Sequence, residues 1–341
     1  MHTIRKRGCL LMLLALGCGL LSTVAFAQYD LGSLNVKQDS SNIVLTISPE
    51  HPKPNTVVTI TVKSVVADLQ SVTVAWLENG QLAGSGIGRT THTTVTGKLG
   101  SEKTITVLIQ VSGDTVYEKS LILKPASVDL LWETSSSVPP FYKGKALYSL
   151  LGGLKVIAVP EVVDGNGARM SPEQLRYTWT KNGTVLGKES GYGKSSLTFA
   201  SPGFRMPITV KVDVATLDGI IVASDNISVY DAQPNVSLYE NSPLYGILFN
   251  RAVGSSFTLI GKEIALESFP YFFNTLDRQQ LSYIWSVNSL RAEEFQGPAI
   301  TLRETQQGAG QAKLSLSVTN PHAFTEFASQ AFTVSFGNEQ Q

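Results

Sequence analysis

Cysteine is nearly missing from this chain: of 341 residues only Cys9 and Cys18 carry a thiol, and both stand at the N-terminus. A disulfide framework further along is thereby excluded, so stability has to come from packed cores. An excess of charge is missing too. Lys and Arg number 27 against 27 Asp and Glu, which leaves no electrostatic footprint for nucleic acid or an anionic membrane. Histidine is sparse. Past the first residues it occurs at His51, His92 and His322, too scattered for the three or four converging ligands that zinc needs, and they read as solvated or strand-end side chains. No second long apolar run follows Ala27, and no stretch has the periodicity of an amphipathic helix.

The N-terminus itself is apolar. Arg5-Lys6-Arg7 precedes an uncharged stretch from Gly8 to Tyr29 that contains Leu10-Leu11-Met12-Leu13-Leu14 and ends in Ala25-Phe26-Ala27. A basic start, an apolar middle and small residues flanking the end predict a bacterial-type signal peptide over 1–27, cut before Gln28. Its removal takes three basic and no acidic residues, leaving 24 basic against 27 acidic and a formal charge of −3. Two rival readings stand beside this one. An uncleaved stretch is long enough to remain as a membrane anchor, and Ala15-Leu-Gly17-Cys18 is an imperfect lipoprotein box. All three place the rest of the chain outside the cytoplasm, in the periplasm, at the cell surface or secreted. Residues 28–41 are expected to form a polar lead.

What the rest of the chain does have is repetition. Val74-Ala-Trp76-Leu-Glu-Asn79-Gly80, Tyr177-Thr-Trp179-Thr-Lys-Asn182-Gly183 and Tyr283-Ile-Trp285-Ser-Val-Asn288-Ser289 place an Asn three residues after a Trp. The tryptophans are 103 and 106 residues apart, the length of a small domain. Twelve residues after each stands Gly88, Gly191 or Gly297, and 29 residues after each begins an alternating apolar run, at Ile105, Ile208 and Leu314. Period-two alternation marks a strand with one buried face. Trp76, Trp179 and Trp285 are thus expected in three cores. Asn-Gly suits a two-residue type I′ hairpin, whereas Asn288-Ser289 predicts a longer turn. The glycines around Gly88 and Gly193 would mark a bulge or a close approach on the return strand.

Short strands separated by turn signals predict an all-β chain of three tandem antiparallel sandwiches, over 42–125, 126–232 and 233–338. Linkers of a few residues near Pro125 and Pro234 predict domains in file with little hinge freedom. The Tyr-x-Trp strands, the Asn-Gly hairpin and the alternating strand about thirty residues later resemble the immunoglobulin-like and PKD-like repeats of bacterial secreted and surface proteins. Trp179-Thr-Lys-Asn-Gly lacks the acidic residues that PKD repeats carry after the Trp. The resemblance implies a spacer, adhesion or accessory role.

No chemical motif survives inspection. Gly187-Lys-Glu-Ser-Gly-Tyr-Gly193-Lys194-Ser195 has five residues between its outer glycines where a phosphate loop needs four, and it leads into no helix. Asp164-Gly-Asn166-Gly167 opens like a calcium loop, but Ala168, Arg169 and Leu175 stand where that register needs a ligand, a glycine and a glutamate. No nucleophile–base arrangement occurs. The chain therefore reads as a non-enzyme without a cofactor. Its candidates for contact with a protein or glycan of the envelope are Phe141 and Tyr142, with Tyr271, Phe272 and Phe273, weighed against packing between domains. The leading expectation is an exported envelope or adhesion module. A carbohydrate-binding accessory and an envelope or pilus assembly factor whose edge strand pairs with a filament subunit are the alternatives.

Overall fold

The computed structural model describes residues 35–37, 42–112, 115–200, 207–219, 222–275, 277–305 and 308–337. The expected signal peptide, most of the polar lead and the last four residues lie outside them. The described chain is built of strands, with two single-turn 3-10 segments at Pro172–Gln174 and Arg278–Gln280. It folds as three immunoglobulin-like β-sandwiches in tandem.

The first sandwich contains β1 (Asn35–Lys37), β2 (Ile43–Ser48), β3 (Val57–Ser64), β4 (Thr73–Glu78), β5 (Gln81–Ile87), β6 (Thr91–Val95), β7 (Lys103–Ser112) and β8 (Thr115–Leu123). One sheet has the order β1-β8-β7-β4-β5 and the other β2-β3-β6. Within the stretch expected to be a polar lead, β1 pairs with β8 in parallel, Asn35 opposite Thr115 and Lys37 opposite Tyr117. An open sheet edge accepts whatever strand the chain brings beside it. The chain divides into two compact units, one holding the residues up to Leu45 with Thr61–His92 and Thr104–Ile122, the other Thr46–Ile60, Thr93–Lys103 and Leu123–Gln341. The division passes through strands of this first sandwich. In the first unit Val62, Val74, Trp76, Val107 and Ile109 are buried. His92 is buried as well, stacked on Trp76 with ring centroids 5.5 Å apart and its Nε2 2.8 Å from Glu78 Oε1. It was expected as a solvated or strand-end side chain; it stands near the start of β6, but on the strand's inward phase, so it is not solvated.

The second sandwich is formed by β9 (Ser127–Thr134), β10 (Gly153–Glu161), β11 (Arg176–Lys181), β12 (Thr184–Val185), β13 (Gly191–Tyr192), β14 (Ser196–Ala200), β15 (Ile208–Ala215) and β16 (Val222–Val229). Its sheets run β14-β10-β9 and β12-β11-β15-β16. The third has β17 (Asn235–Ser242), β18 (Gly246–Ala252), β19 (Ser256–Thr258), β20 (Glu263–Tyr271), β21 (Ser282–Val287), β22 (Leu290–Arg291), β23 (Ala299–Arg303), β24 (Gly310–Asn320) and β25 (Ala323–Phe336), ordered β18-β17-β20-β23 and β19-β25-β24-β21-β22. Here too one pairing, β19 with β25, is parallel. Alternation builds both cores: Val210, Val212 and Val214 point inward from β15, and Leu314, Leu316 and Val318 from β24.

Trp76, Trp179 and Trp285 each have 0 % of their surface exposed. A buried indole N–H needs an acceptor, and all three donate to a backbone carbonyl at the entry of the next strand: Arg89 at 2.9 Å, Lys194 at 2.8 Å and Gly297 at 2.9 Å. The following residue accepts from the facing sheet, Val62 N–H to Thr90, Ala158 N–H to Ser195 and Ser268 N–H to Pro298. These bonds, and not the glycines twelve residues on, are what the copies share at this place. Gly88 corresponds to Gly193, since each receives the turn through an N–H to the carbonyl of Val72 or Leu175 and each has a left-handed backbone, φ 69° and 70°. Gly191 and Gly297 occupy other positions.

The hairpin after the Trp strand is alike in all three copies. Asn79-Gly80, Asn182-Gly183 and Asn288-Ser289 all have positive φ at both central residues, so the third turn is no longer than the others, contrary to expectation. Ser289 is held at φ 69° by its neighbours. Asn288 Oδ1 accepts from Lys313 N–H at 2.9 Å, and Asn288 N–H donates to Lys313 O at 2.8 Å. Asn79 makes the same pair of bonds to Thr104, and Asn182 to Thr209.

Candidate functional site

Both flagged aromatic loops belong to the second unit, and the fold brings them together where the second sandwich meets the third. The connection from β9 to β10 passes through Ser137 and turns at Pro139-Pro140-Phe141-Tyr142. The other loop follows β20. Backbone bonds tie them: Ser137 N–H donates to Phe273 O at 2.9 Å, Phe272 N–H to Ser137 O at 2.7 Å, and Phe273 N–H to Ser137 Oγ at 3.0 Å. Asn274 Nδ2 donates to Leu151 O at 2.9 Å.

A buried carboxylate completes this tie. Glu326 accepts from Asn274 N–H at 3.0 Å and from Asn320 Nδ2 at 2.8 Å, with only 1 % of its surface exposed. A buried carboxyl group needs hydrogen-bond partners, and losing any one of these donors would leave it short. Nothing in the sequence reading pointed to Glu326. Its signal is an acidic residue in phase with the buried Ala328, Phe332 and Val334 of the same strand.

The rings are arranged edge to face. Tyr142 stands 5.8 Å from Tyr271 and 6.1 Å from Phe272, and Phe141 stands 5.7 Å from Phe249 on β18. Phe249 packs in turn on Phe269 at 4.9 Å and Tyr239 at 5.3 Å. The Tyr239 and Tyr271 hydroxyls are 2.8 Å apart. Burial first, and then this hydrogen bond, push the Tyr271 hydroxyl well above the usual phenol range. The guanidinium of Arg278 lies 4.6 Å above Phe269 and pairs with Glu267.

The five candidates differ in what they leave open. Phe273 is fully buried in the third core, so a partner cannot reach it; two residues beyond the strand its ring turns inward. Tyr142, Tyr271 and Phe272 are occupied by one another. Phe141 touches Phe249 by one edge and keeps 85 % of its surface exposed. Phe141 and Phe272 both have left-handed backbones, φ 62° and 60°, a strained conformation for bulky residues that the surrounding contacts have to hold.

Two clefts lie nearby or beyond. A groove of about 520 Å³ runs between Pro139-Pro140 and Asp277–Gln279. An apolar cleft of about 470 Å³ opens between the sheets of the third sandwich, lined by Leu259, Phe295, Leu302 and Phe336 among others. Among the described residues no group of three or more His, Cys, Asp or Glu could hold a metal ion. Asp164 Oδ1 accepts from Asn166 and Ala168 N–H groups at 2.9 Å and closes a turn. The Gly187–Ser195 stretch supplies the carbonyl that receives the Trp179 indole.

No protein-family model matches the chain, and no curated protein sequence matches it. Among solved structures it is similar to the three N-terminal domains of the highly immunogenic outer capsid protein (Hoc) of bacteriophage RB49, at 13 % identity over 86 % of this chain and 97 % of that one, with a TM-score of 0.24. The fibronectin(III)-like modules of Clostridium thermocellum CbhA match at 14 % identity over 56 % of this chain and 95 % of theirs, TM-score 0.27. The central fibronectin-III array of RIM-binding protein matches at 10 % identity over 87 % and 98 %, TM-score 0.30.

Proposed function

We propose that this chain is an exported structural module of the cell envelope, a non-enzyme that holds binding surfaces at a set spacing. The observation that supports it most is the tie between the second and third sandwiches. Ser137 bonds to both Phe272 and Phe273, and Glu326 is buried against Asn274, an outlay of ordered polar groups that fits a linkage required to stay fixed. The N-terminal stretch ending at Ala27 supports export. Crosslinking on intact cells, with identification of the mature N-terminus, tests this reading. A chain beginning at Gln28 and crosslinked to a wall or filament component is the expected result, and a chain recovered from the cytoplasm with its leader intact would overturn it.

A second reading, a junction that binds a glycan or protein, draws on Phe141. An aromatic left 85 % exposed on a left-handed backbone is strain spent on display rather than on packing. Tyr271 and Phe272 are engaged by Tyr142 and weigh less in that reading.

A further inference from the structure

The connection leaving the first strand of the sandwich carries a proline–aromatic insert in both the second and third copies. In the second copy it is Pro139-Pro140-Phe141-Tyr142, with Pro139 buried and Tyr142 against Tyr271 and Phe272 of the third copy. In the third copy it is Pro243-Leu244-Tyr245, at the tip of the β17–β18 hairpin. That insert has no such seat: Leu244 and Tyr245 are 77 % and 76 % exposed.

Strand register identifies the seat that remains open. Val128 pairs with Pro160 in the second copy as Val236 pairs with Pro270 in the third. Counting along the ladder, Tyr239 and Phe269 therefore correspond to Leu131 and Val159. Tyr239 and Phe269, beside the seated insert and beneath Phe249, are each only 7 % exposed, whereas Leu131 and Val159 are 59 % and 40 % exposed. Among the described residues the second copy has no strand like β18 over this face, and the connection arriving from the first copy meets it only at its edge, Lys53 Nζ lying 3.9 Å from Asp129 Oδ1. The connection in the first copy, His51-Pro-Lys-Pro-Asn55, carries no Phe, Tyr or Leu. One chain thus holds a seated aromatic insert, an aromatic insert without a seat and an apolar face without an aromatic insert.

We propose that the chain self-associates, the Leu244–Tyr245 hairpin tip of one copy docking on the Leu131–Val159 face of another. The two surfaces differ, so the contact is heterologous; it closes into a reciprocal pair or propagates head to tail.

Sedimentation of the chain purified from the cells that make it tests the proposal. Association that rises with concentration is expected, and it should weaken about tenfold or more in Tyr245→Asp and in Val159→Asp. Both positions are exposed, so circular dichroism should show both variants folded. Mixing the two variants restores one working tip and one working face, and 1:1 pairs should reappear. A wild-type chain that sediments singly at every concentration reached, or variants that associate like it, would overturn the proposal, as would a mixture that stays monomeric.

Discussion

Asn288 and Ser289 show how much one turn depends on single residues. Both sit at positive φ, 48° and 69°. Asn tolerates that region, while Ser pays a steric penalty that Gly would not. Ser289→Gly should therefore stabilise the third sandwich by roughly 0.5–1 kcal/mol, read as a higher midpoint in denaturant, and a loss of stability would show that the Ser hydroxyl matters more than its backbone. Tyr177 gives a second test. Its ring is buried and its hydroxyl has no hydrogen-bond partner among the described residues. Burial, with a smaller push from the Glu173 charge, raises it to about 12 from 10.0. The unfolded chain thus releases this proton near pH 10 and the folded chain holds it until about pH 12. Stability is complete below the lower value and falls as pH rises through the higher one, by on the order of 2 kcal/mol. Tyr283 behaves alike, raised to about 12 mainly by burial. Tyr177→Phe should fold normally at neutral pH and flatten part of the alkaline decline. An unchanged pH profile would mean that Tyr177 ionises freely.

At the scale of elements, period two both revealed and concealed the structure. The three Trp strands and their alternating partners were legible because apolar residues on one face leave a pattern in sequence. Their register was not. Trp76 pairs with Val107 and Trp285 with Leu316, each 31 residues on, but Trp179 pairs with Val212, 33 residues on. An insertion of two residues returns every side chain to its own face, so the run beginning at Ile208 looked in step although Val210 is the counterpart of Ile105 and Leu314. The turn at Ser289 was missed for a different reason: a residue other than glycine at positive φ is held there by tertiary bonds, which no dipeptide preference encodes. The tie between the later sandwiches was half legible. Its aromatic loops stood out, whereas Ser137, Asn274 and Glu326 act through partners as far as 136, 123 and 52 residues away. Tyr142→Ala removes the rings' contact across this tie, worth about 0.5–1.5 kcal/mol for each aromatic pair. Calorimetry should then show the second and third sandwiches melting more nearly apart than in the wild type; a thermogram identical to the wild type would mean the backbone bonds suffice alone.

For the whole molecule, three copies of one plan have diverged mainly in the connection that leaves the first strand. The cores keep the same tryptophan bond and the same asparagine clamp, and the freedom to change has gone into loops, where insertions cost little. The proposed self-association rests on that divergence and not on the shared fold. The parallel pairing of β1 with β8 has a mechanical meaning. These are the first described strand and the last strand of their sheet, lying side by side and pointing the same way. Tension on a chain held at its N-terminus and drawn from beyond β8 would slide one strand along the other. The rungs at Asn35, Val36 and Lys37 would then share the load at once, where an antiparallel hairpin would open one rung at a time.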